Sequence, residues 1–392
     1  MKSNVLAFIF MAFTSIGSLL GQSTFDVTTT DAPAAMDDAI DYATDIWSTY
    51  LNSDVPIRVN ITYVNLTNSG PLALCLPNGA LNFDEAPVAD VWFATSLANS
   101  LAGIDLSPGE ADMDIFVNSS VNYYFGTDGN PGSGQYDFVS VIMHEVVHGF
   151  GGLSLGDYSS GSGSLGEISS SDFFPLTTSF PFPQLQGWPS IWDTFITNSD
   201  GEHITDQSVF INPSNALGSA FVSNNLYFSG SGATSGNSGI IPKIFAPASF
   251  QFGSSLHHFD ESTFPLASGN SLFTPNIGAT QVEHNPGPML LGALADIGWS
   301  VNLNTQIPNN SGPILNVFPV PAGDQVNIVV PSENGVYTLQ IFSVEGLLLR
   351  QREQLVGKTT CDLSNLPSGI IVLYVEGPNF QERRKVVHIS SD

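Results

Sequence analysis

The segment VIMHEVVHGFGG, residues 141–152, sets His144, Glu145 and His148 in an apolar run of helical character. On an α-helix, residues i and i+4 lie one turn apart on the same face, so both imidazoles can reach one metal ion. Glu145, next to the first imidazole, is then placed to act as general base. Zinc lowers the pKa of a water toward about 7, and the carboxylate takes its proton as the water attacks a polarised amide carbonyl. Two imidazoles are part of such a site only, because catalytic zinc takes three protein ligands and keeps one position open.

The third ligand must come from outside the helix. Eighteen residues separate His148 from Glu167, a spacing at which gluzincin peptidases carry a glutamate ligand. Its setting, GSGSLGEISSS, reads as a Gly/Ser loop rather than the second helix that such a ligand normally occupies. Asp157 is a second acidic candidate, and His203, His257, His258, His284 and His388 complete the histidine set.

Elements that could position these groups can be read from periodicity. Pro33 to Leu51 carries Met36, Ile40, Ala43, Ile46, Trp47 and Leu51 at helical spacing, behind Asp31 as a candidate cap. Residues 55–64 alternate as a strand, 88–101 read as a helix, 111–120 as a strand, 127–137 as a polar loop, and the motif helix follows. Residues 153–256 are rich in Gly, Ser, Pro and Phe and predict irregular or short-stranded structure, with an exposed Gly/Ser loop at 229–239. Residues 286–299 predict a closing helix. Asp128, Asn130, Gln135 and Asp137 place oxygen-rich side chains among glycines, a composition that can hold structural Ca²⁺ as well as form an ordinary polar loop.

Composition sets the surroundings. Residues 23–305 hold 28 acidic side chains against two basic ones, Arg58 and Lys243, which argues against nucleic acid or an anionic membrane as partner. Lys2, an apolar run from Val5 to Leu20 and small residues near Gly21 predict a signal peptide over residues 1–22, with an N-terminal anchor as the alternative. No other stretch predicts a membrane-spanning segment in the mature protein. Cys75 and Cys361 are too few and too far apart for a disulfide framework; Cys75, in LALCLP, reads as a buried thiol, and a metal-plugging thiolate is the other reading.

A resemblance extends over nearly all of residues 25–300. ADMDIFVNSSVNYYFG, YDFVSVIMHEVVHGFG, IWDTFITNSDG, SLHHFD and LLGALADIGW resemble secreted bacterial metalloproteases related to leishmanolysin-type metzincins. Gly151 stands where metzincins turn the chain out of the motif helix, and Ser154 stands where their compact form carries its third ligand. In the resembling family a long insertion precedes a Ser-x-x-His-aromatic-acid segment. That resemblance implies His258 as the third metal ligand and an insertion over about 153–256; Asp260 and Glu261 then lie close enough in sequence to orient an imidazole. It departs at SLFTP, where Phe273 occupies the place of the Met-turn methionine. His257 reads as an exposed residue, with a neighbour of the ligand or a substrate contact as the alternatives.

Past residue 306 the charge balance changes to six basic against eight acidic side chains, and short alternating strands separated by Gly, Pro and Asn turns predict a small β-sandwich. Pro319, Pro321, Ala322, Gly346 and the turn from Leu366 to Gly369 resemble the C-terminal sorting domain of the type IX (Por) secretion system of Bacteroidetes. A carbohydrate-binding or adhesion sandwich is the alternative. The expected architecture is an α+β zincin (metzincin-like) catalytic domain over residues 23–305, a linker at 306–313, and an all-β sorting sandwich over 314–392. The expected function is a secreted zinc endopeptidase acting on protein or peptide substrates, with the type IX secretion machinery as partner. The competing class is a surface adhesion protein on a zincin scaffold without turnover.

Overall fold

A computed structural model describes residues 21–67, 70–168, 187–302, 316–318, 322–329, 337–343, 347–355, 358–377 and 380–388. Apart from Gly21 and Gln22, the signal segment 1–22 lies outside the described residues, as do the linker 306–313, Pro319, Pro321 and Gly346. The chain divides into two compact units, Met1–Leu303 and Asn304–Asp392. Among the described residues no helix is long and apolar enough to cross a membrane.

The first unit is built on strand β1 (Phe25–Thr30), helix α1 (Asp37–Tyr50), the two-residue strand β2 (Leu51–Asn52), β3 (Ile57–Val64) and β4 (Ala73–Pro77). There follow β5 (Gly79–Leu81), β6 (Trp92–Ala94), α2 (Thr95–Ala102), β7 (Met113–Asn118), the short β8 (Tyr123–Tyr124) and β9 (Tyr136–Asp137), and α3 (Phe138–Gly149). The main sheet has the order β1-β3-β7-β4; β1, β3 and β7 run parallel, and β4 runs antiparallel to β7 at the edge. Ile57, Val59 and Ile61 of β3 and Met113, Ile115 and Val117 of β7 are buried, as the period of two in those strands requires. The apolar stripe of α1, Ile40, Ala43 and Trp47, is buried too, and Trp47 Nε1 donates to the Met143 carbonyl of α3 at 3.2 Å.

The helix expected over 88–101 starts later. Residues 92–94 pair with β5 instead, Trp92 N–H donates to Pro189 O, and α2 begins only at Thr95. Bulky Trp92 and Phe93 are buried in this strand, so packing overrides the helical spacing.

The insertion holds hairpin β10–β11 (Gly156–Ser159, Ser162–Leu165), strand β12 (Ile196–Asn198), α4 (Asn215–Phe221), β13 (Leu226–Phe228), which pairs with β12, and α5 (Ser231–Gly236). Helix α5 occupies the stretch expected as an exposed Gly/Ser loop. It packs on α6 (Gly287–Ile297), where a Cβ on Gly292 would lie 2.2 Å from Gly232 O, so the glycines permit backbone contact between the helices. Asp296 of α6 accepts from Gly232 N and Ala233 N, both at 2.8 Å, satisfying the first turn of α5. Strand β14 (Ser300–Val301) then pairs with β2.

The second unit has a three-stranded sheet, β15 (Asn316–Phe318), β16 (Gln325–Val329) and β19 (Lys358–Asp362), and a four-stranded one. The latter is ordered β18-β17-β20-β21 with ranges Leu348–Leu355, Tyr337–Ser343, Gly369–Gly377 and Phe380–His388. Val326 and Ile328 from one sheet and Leu339, Ile341, Leu373 and Val386 from the other share one core, which is the packing of a β-sandwich.

Candidate metal centre

Helix α3 is what brings His144 and His148 to one point. Asp137 caps it, its Oδ2 accepting from Ser140 N at 2.9 Å, and eleven of its twelve residues are buried, so the helix runs through the core and not over a surface. It stops at Gly151, whose φ of +101° lies in the left-handed region that side chains avoid. The chain then leaves toward the insertion. That insertion returns at His258, which is fixed on both sides: Phe245 N–H donates to His258 O at 2.8 Å and Phe259 N–H to Phe273 O at 3.0 Å.

One nitrogen from each of His144, His148 and His258 lies within 4.8 Å of the others, and this is the single cluster of three or more His, Cys, Asp or Glu side chains among the described residues. Its hydrogen bonds define the tautomers. Nδ1 of His144 meets Leu272 O at 2.8 Å, Nδ1 of His148 meets Gly152 O at 2.9 Å, and Nδ1 of His258 meets Ser254 O at 2.9 Å. A carbonyl oxygen only accepts, so each Nδ1 carries the proton and donates. Burial pushes His144 down to about 4 and holds His148 and His258 well below the usual imidazole range, with the neighbouring rings adding to the effect. All three rings are therefore neutral and each Nε2 presents a bare lone pair. The His144 and His258 Nε2 atoms are 3.0 Å apart with no proton to share, a repulsive contact that a cation between them relieves. Three convergent neutral imidazoles, each anchored through its other nitrogen, fit zinc with an open fourth position.

Glu145 follows His144 on α3. It is buried, its carboxylate accepts from the Cys75 backbone N–H of edge strand β4, and burial pushes its carboxyl up to about 8. A dication among the imidazoles works against that shift and favours the carboxylate. Glu145 and the three imidazoles line a cleft of about 1170 Å³, whose walls include Leu74 and Leu76 of β4.

Beneath the triad lies Phe273. It is fully buried, with ring centroids 5.3, 4.9 and 5.1 Å from His144, His148 and His258. It sits in a tight turn closed by Thr274 N–H donating to Ser271 O at 3.1 Å, and the same turn supplies Leu272 O to His144. The aromatic ring thus packs against all three imidazoles.

Other expectations fall elsewhere. Glu167 is exposed and Asp157 lies in β10, both outside the triad. Asp260 does not orient an imidazole: its Oδ2 accepts from Ser262 Oγ and from Thr263 N and Oγ1, and Glu261 accepts from Asn276. Backbone carbonyls take that role instead, because the ligand segments run alongside other main chain. His257 is buried rather than exposed, and its Nδ1 accepts from Ser154 N–H at 3.2 Å. Burial pushes it down to about 4. His203 is exposed, His284 pairs with Asp137 at 2.7 Å, and His388 belongs to the second unit. The proposed calcium ligands are spent locally: Asp128 accepts from Tyr124 and Asn130, Gln135 Oε1 accepts from Gly132 N, and Asp137 caps α3. Cys75 is a free, buried thiol that burial pushes up, and it is not in the metal cluster.

Asp193 escaped the sequence reading. Its buried Oδ2 accepts from Ser190 N and Leu155 N, tying the chain just after α3 to IWDTF. A charged residue inside an otherwise apolar and aromatic run was the available signal.

Comparison with known proteins bears on both units. A family model described as SPBPB7E8-like matches residues 102–158, the stretch that carries His144, Glu145 and His148. A model of the secretion system C-terminal sorting domain matches residues 316–389. The C-terminal unit is a type IX secretion sorting domain. The sorting domain engages the type IX machinery and sends the chain to the cell surface or the extracellular space. No curated protein matches the chain. Among solved structures, a DUF3244 family protein from Bacteroides vulgatus with an immunoglobulin-like β-sandwich is 16% identical, covering 21% of this chain and 90% of its own, with a TM-score of 0.19. PorZ, a surface component of the type IX secretion system of Porphyromonas gingivalis, is 20% identical, covering 19% of this chain and 11% of its own, with a TM-score of 0.17.

Proposed function

We propose that the first unit is a zinc-dependent endopeptidase of metzincin-like zincin fold, exported by the sorting domain that follows it. The observation that carries this reading is the convergence of three bare Nε2 atoms, from His144, His148 and His258, beside the Glu145 carboxyl in one cleft. A site that needs metal for structure alone closes four ligands around it, whereas three ligands and a neighbouring base suit hydrolysis. Bound zinc supplies Lewis acidity, activating a water and polarising the scissile carbonyl. Glu145 takes the proton of the attacking water and returns it to the leaving amine. The Cys75 N–H holds the Glu145 carboxylate in place, and β4, the edge strand of the main sheet among the described residues, offers main-chain groups to an extended peptide in the manner of an added strand. The lopsided acidic charge adds to solubility outside the cell and leaves phosphate-bearing partners unfavoured.

The test is zinc content measured beside casein cleavage for the wild type and for Glu145→Gln. The variant keeps all three ligands, so it should bind one zinc per chain while hydrolysis falls by at least about 10²-fold, the usual scale for losing a general base. Equal turnover by the variant would refute the mechanism, and a zinc-loaded wild type that cleaves nothing would favour the adhesion alternative.

A further inference from the structure

His257 is a buried imidazole that the reading above leaves without a task. It is not a ligand: its ring centroid is 6.1 Å from both His148 and His258, whereas the triad rings lie 4.9 to 5.2 Å from one another. Its tautomer is the reverse of theirs. A backbone N–H only donates, so the bond from Ser154 N at 3.2 Å makes Nδ1 of His257 the acceptor and leaves its ring proton on Nε2. Among the described residues the bond from Ser154 N is the one hydrogen bond that the His257 ring makes, and His257 lines the cleft. The cleft is therefore lined by three imidazoles that present lone pairs and one that carries an N–H.

The donor is also rigid. Ser154 is fully buried, its Oγ accepts from Gly156 N at 3.0 Å, and the next residue is tied to Asp193. A fixed donor next to the reacting centre costs no reorganisation when charge develops.

We propose that Nε2–H of His257 donates a hydrogen bond to the scissile carbonyl oxygen of a bound peptide and holds the negative charge that builds there as the carbon becomes tetrahedral. The inference deepens the endopeptidase reading and rests on it. His257 is then a catalytic residue contributed by the segment that follows the insertion, while Glu145, on α3 against β4, handles the proton.

Two measurements on the zinc-loaded full chain test it. Ring ¹⁵N NMR should find His257 protonated on Nε2 and the three ligands protonated on Nδ1; Nδ1–H at His257 overturns the proposal even if no variant folds. In His257→Leu, zinc content should stay at one per chain, kcat should fall by about 10²–10³-fold with KM little changed, as for loss of one such donor. Affinity for a tetrahedral phosphinic peptide should fall in parallel, while affinity for the planar product peptide holds. His257→Gln, which keeps an N–H at that reach, should recover part of the loss. If the wild type cleaves peptide and His257→Leu does so equally well, this inference alone fails. If the zinc-loaded wild type neither cleaves nor binds the phosphinic peptide, the endopeptidase reading fails and takes the inference with it.

Discussion

Replacing Phe273 by alanine removes the floor of the metal centre, and its cost can be worked out from packing. The ring is wholly buried, touches all three imidazoles, and is walled below by Trp192 and Phe259 at centroid distances of 5.7 and 6.3 Å. Truncating a buried Phe to Ala costs about 3–5 kcal/mol, with the upper end reached where surroundings cannot collapse. Collapse is hindered here, because Phe273 O accepts from Phe259 N–H and Leu272 O accepts from His144, pinning the turn on both sides. The upper half of that range, about 4–5 kcal/mol, is expected, which corresponds to roughly 7–8 °C in Tm for a unit of this size. Phe273→Met keeps most of the volume and should cost about 1.5 kcal/mol or less. The assay is urea unfolding followed by tryptophan fluorescence, run with chelator so that zinc does not mask the packing change, then repeated with zinc. Zinc affinity should fall about 10–100-fold in the alanine variant, the scale for losing support to a ligand. An alanine variant within about 1 kcal/mol of wild type, or a methionine variant as damaged as the alanine one, would refute this account of the floor.

Two further predictions concern the ligands and pH. His258→Ala should lose most of the zinc and activity, while Glu167→Ala, at an exposed position outside the triad, should keep both; metal content by mass spectrometry decides, and loss at Glu167 would move the third ligand there. In chelator-treated protein, His144, His148, His257 and His258 are held neutral by burial, whereas in the unfolded chain they protonate near the usual 6.5. Stability is therefore lost as pH falls from about 6.5 toward 4. Glu145, raised to about 8, acts with the opposite sign: its contribution is full below about 4.5 and is lost as pH rises through 8. Four imidazoles outweigh Glu145 and Asp112, the latter raised to about 6 by burial, at pH 5.5, where unfolding should take up about 2 protons, or about 3 kcal/mol per pH unit. Stability that is flat or rising from pH 6.5 to 5 would contradict the neutral imidazole cluster.

What the sequence by itself determined is local. The i, i+4 spacing of His144 and His148, with Glu145 between them, follows from helical geometry and the apolar run around it, and the alternation in residues 57–64 and 113–118 follows from the pleat. The change in charge and strand pattern beyond residue 306 was equally legible, because composition needs no contacts to be read. His258 was reachable only through a resemblance, since 109 positions of chain separate it from His148 and no local rule spans them. Tertiary structure decided the rest. It made residues 92–94 a strand by giving them a partner, and it turned a Gly/Ser run into α5 by laying that run on α6, where only glycine admits the contact. It buried His257 and reversed its tautomer through one backbone N–H, and it took the imidazole-orienting role from Asp260 and gave it to carbonyls of Leu272, Gly152 and Ser254. The physical reason is common to all of these: burial, and the direction of a hydrogen bond, belong to the neighbours that folding supplies and not to the residue that receives them.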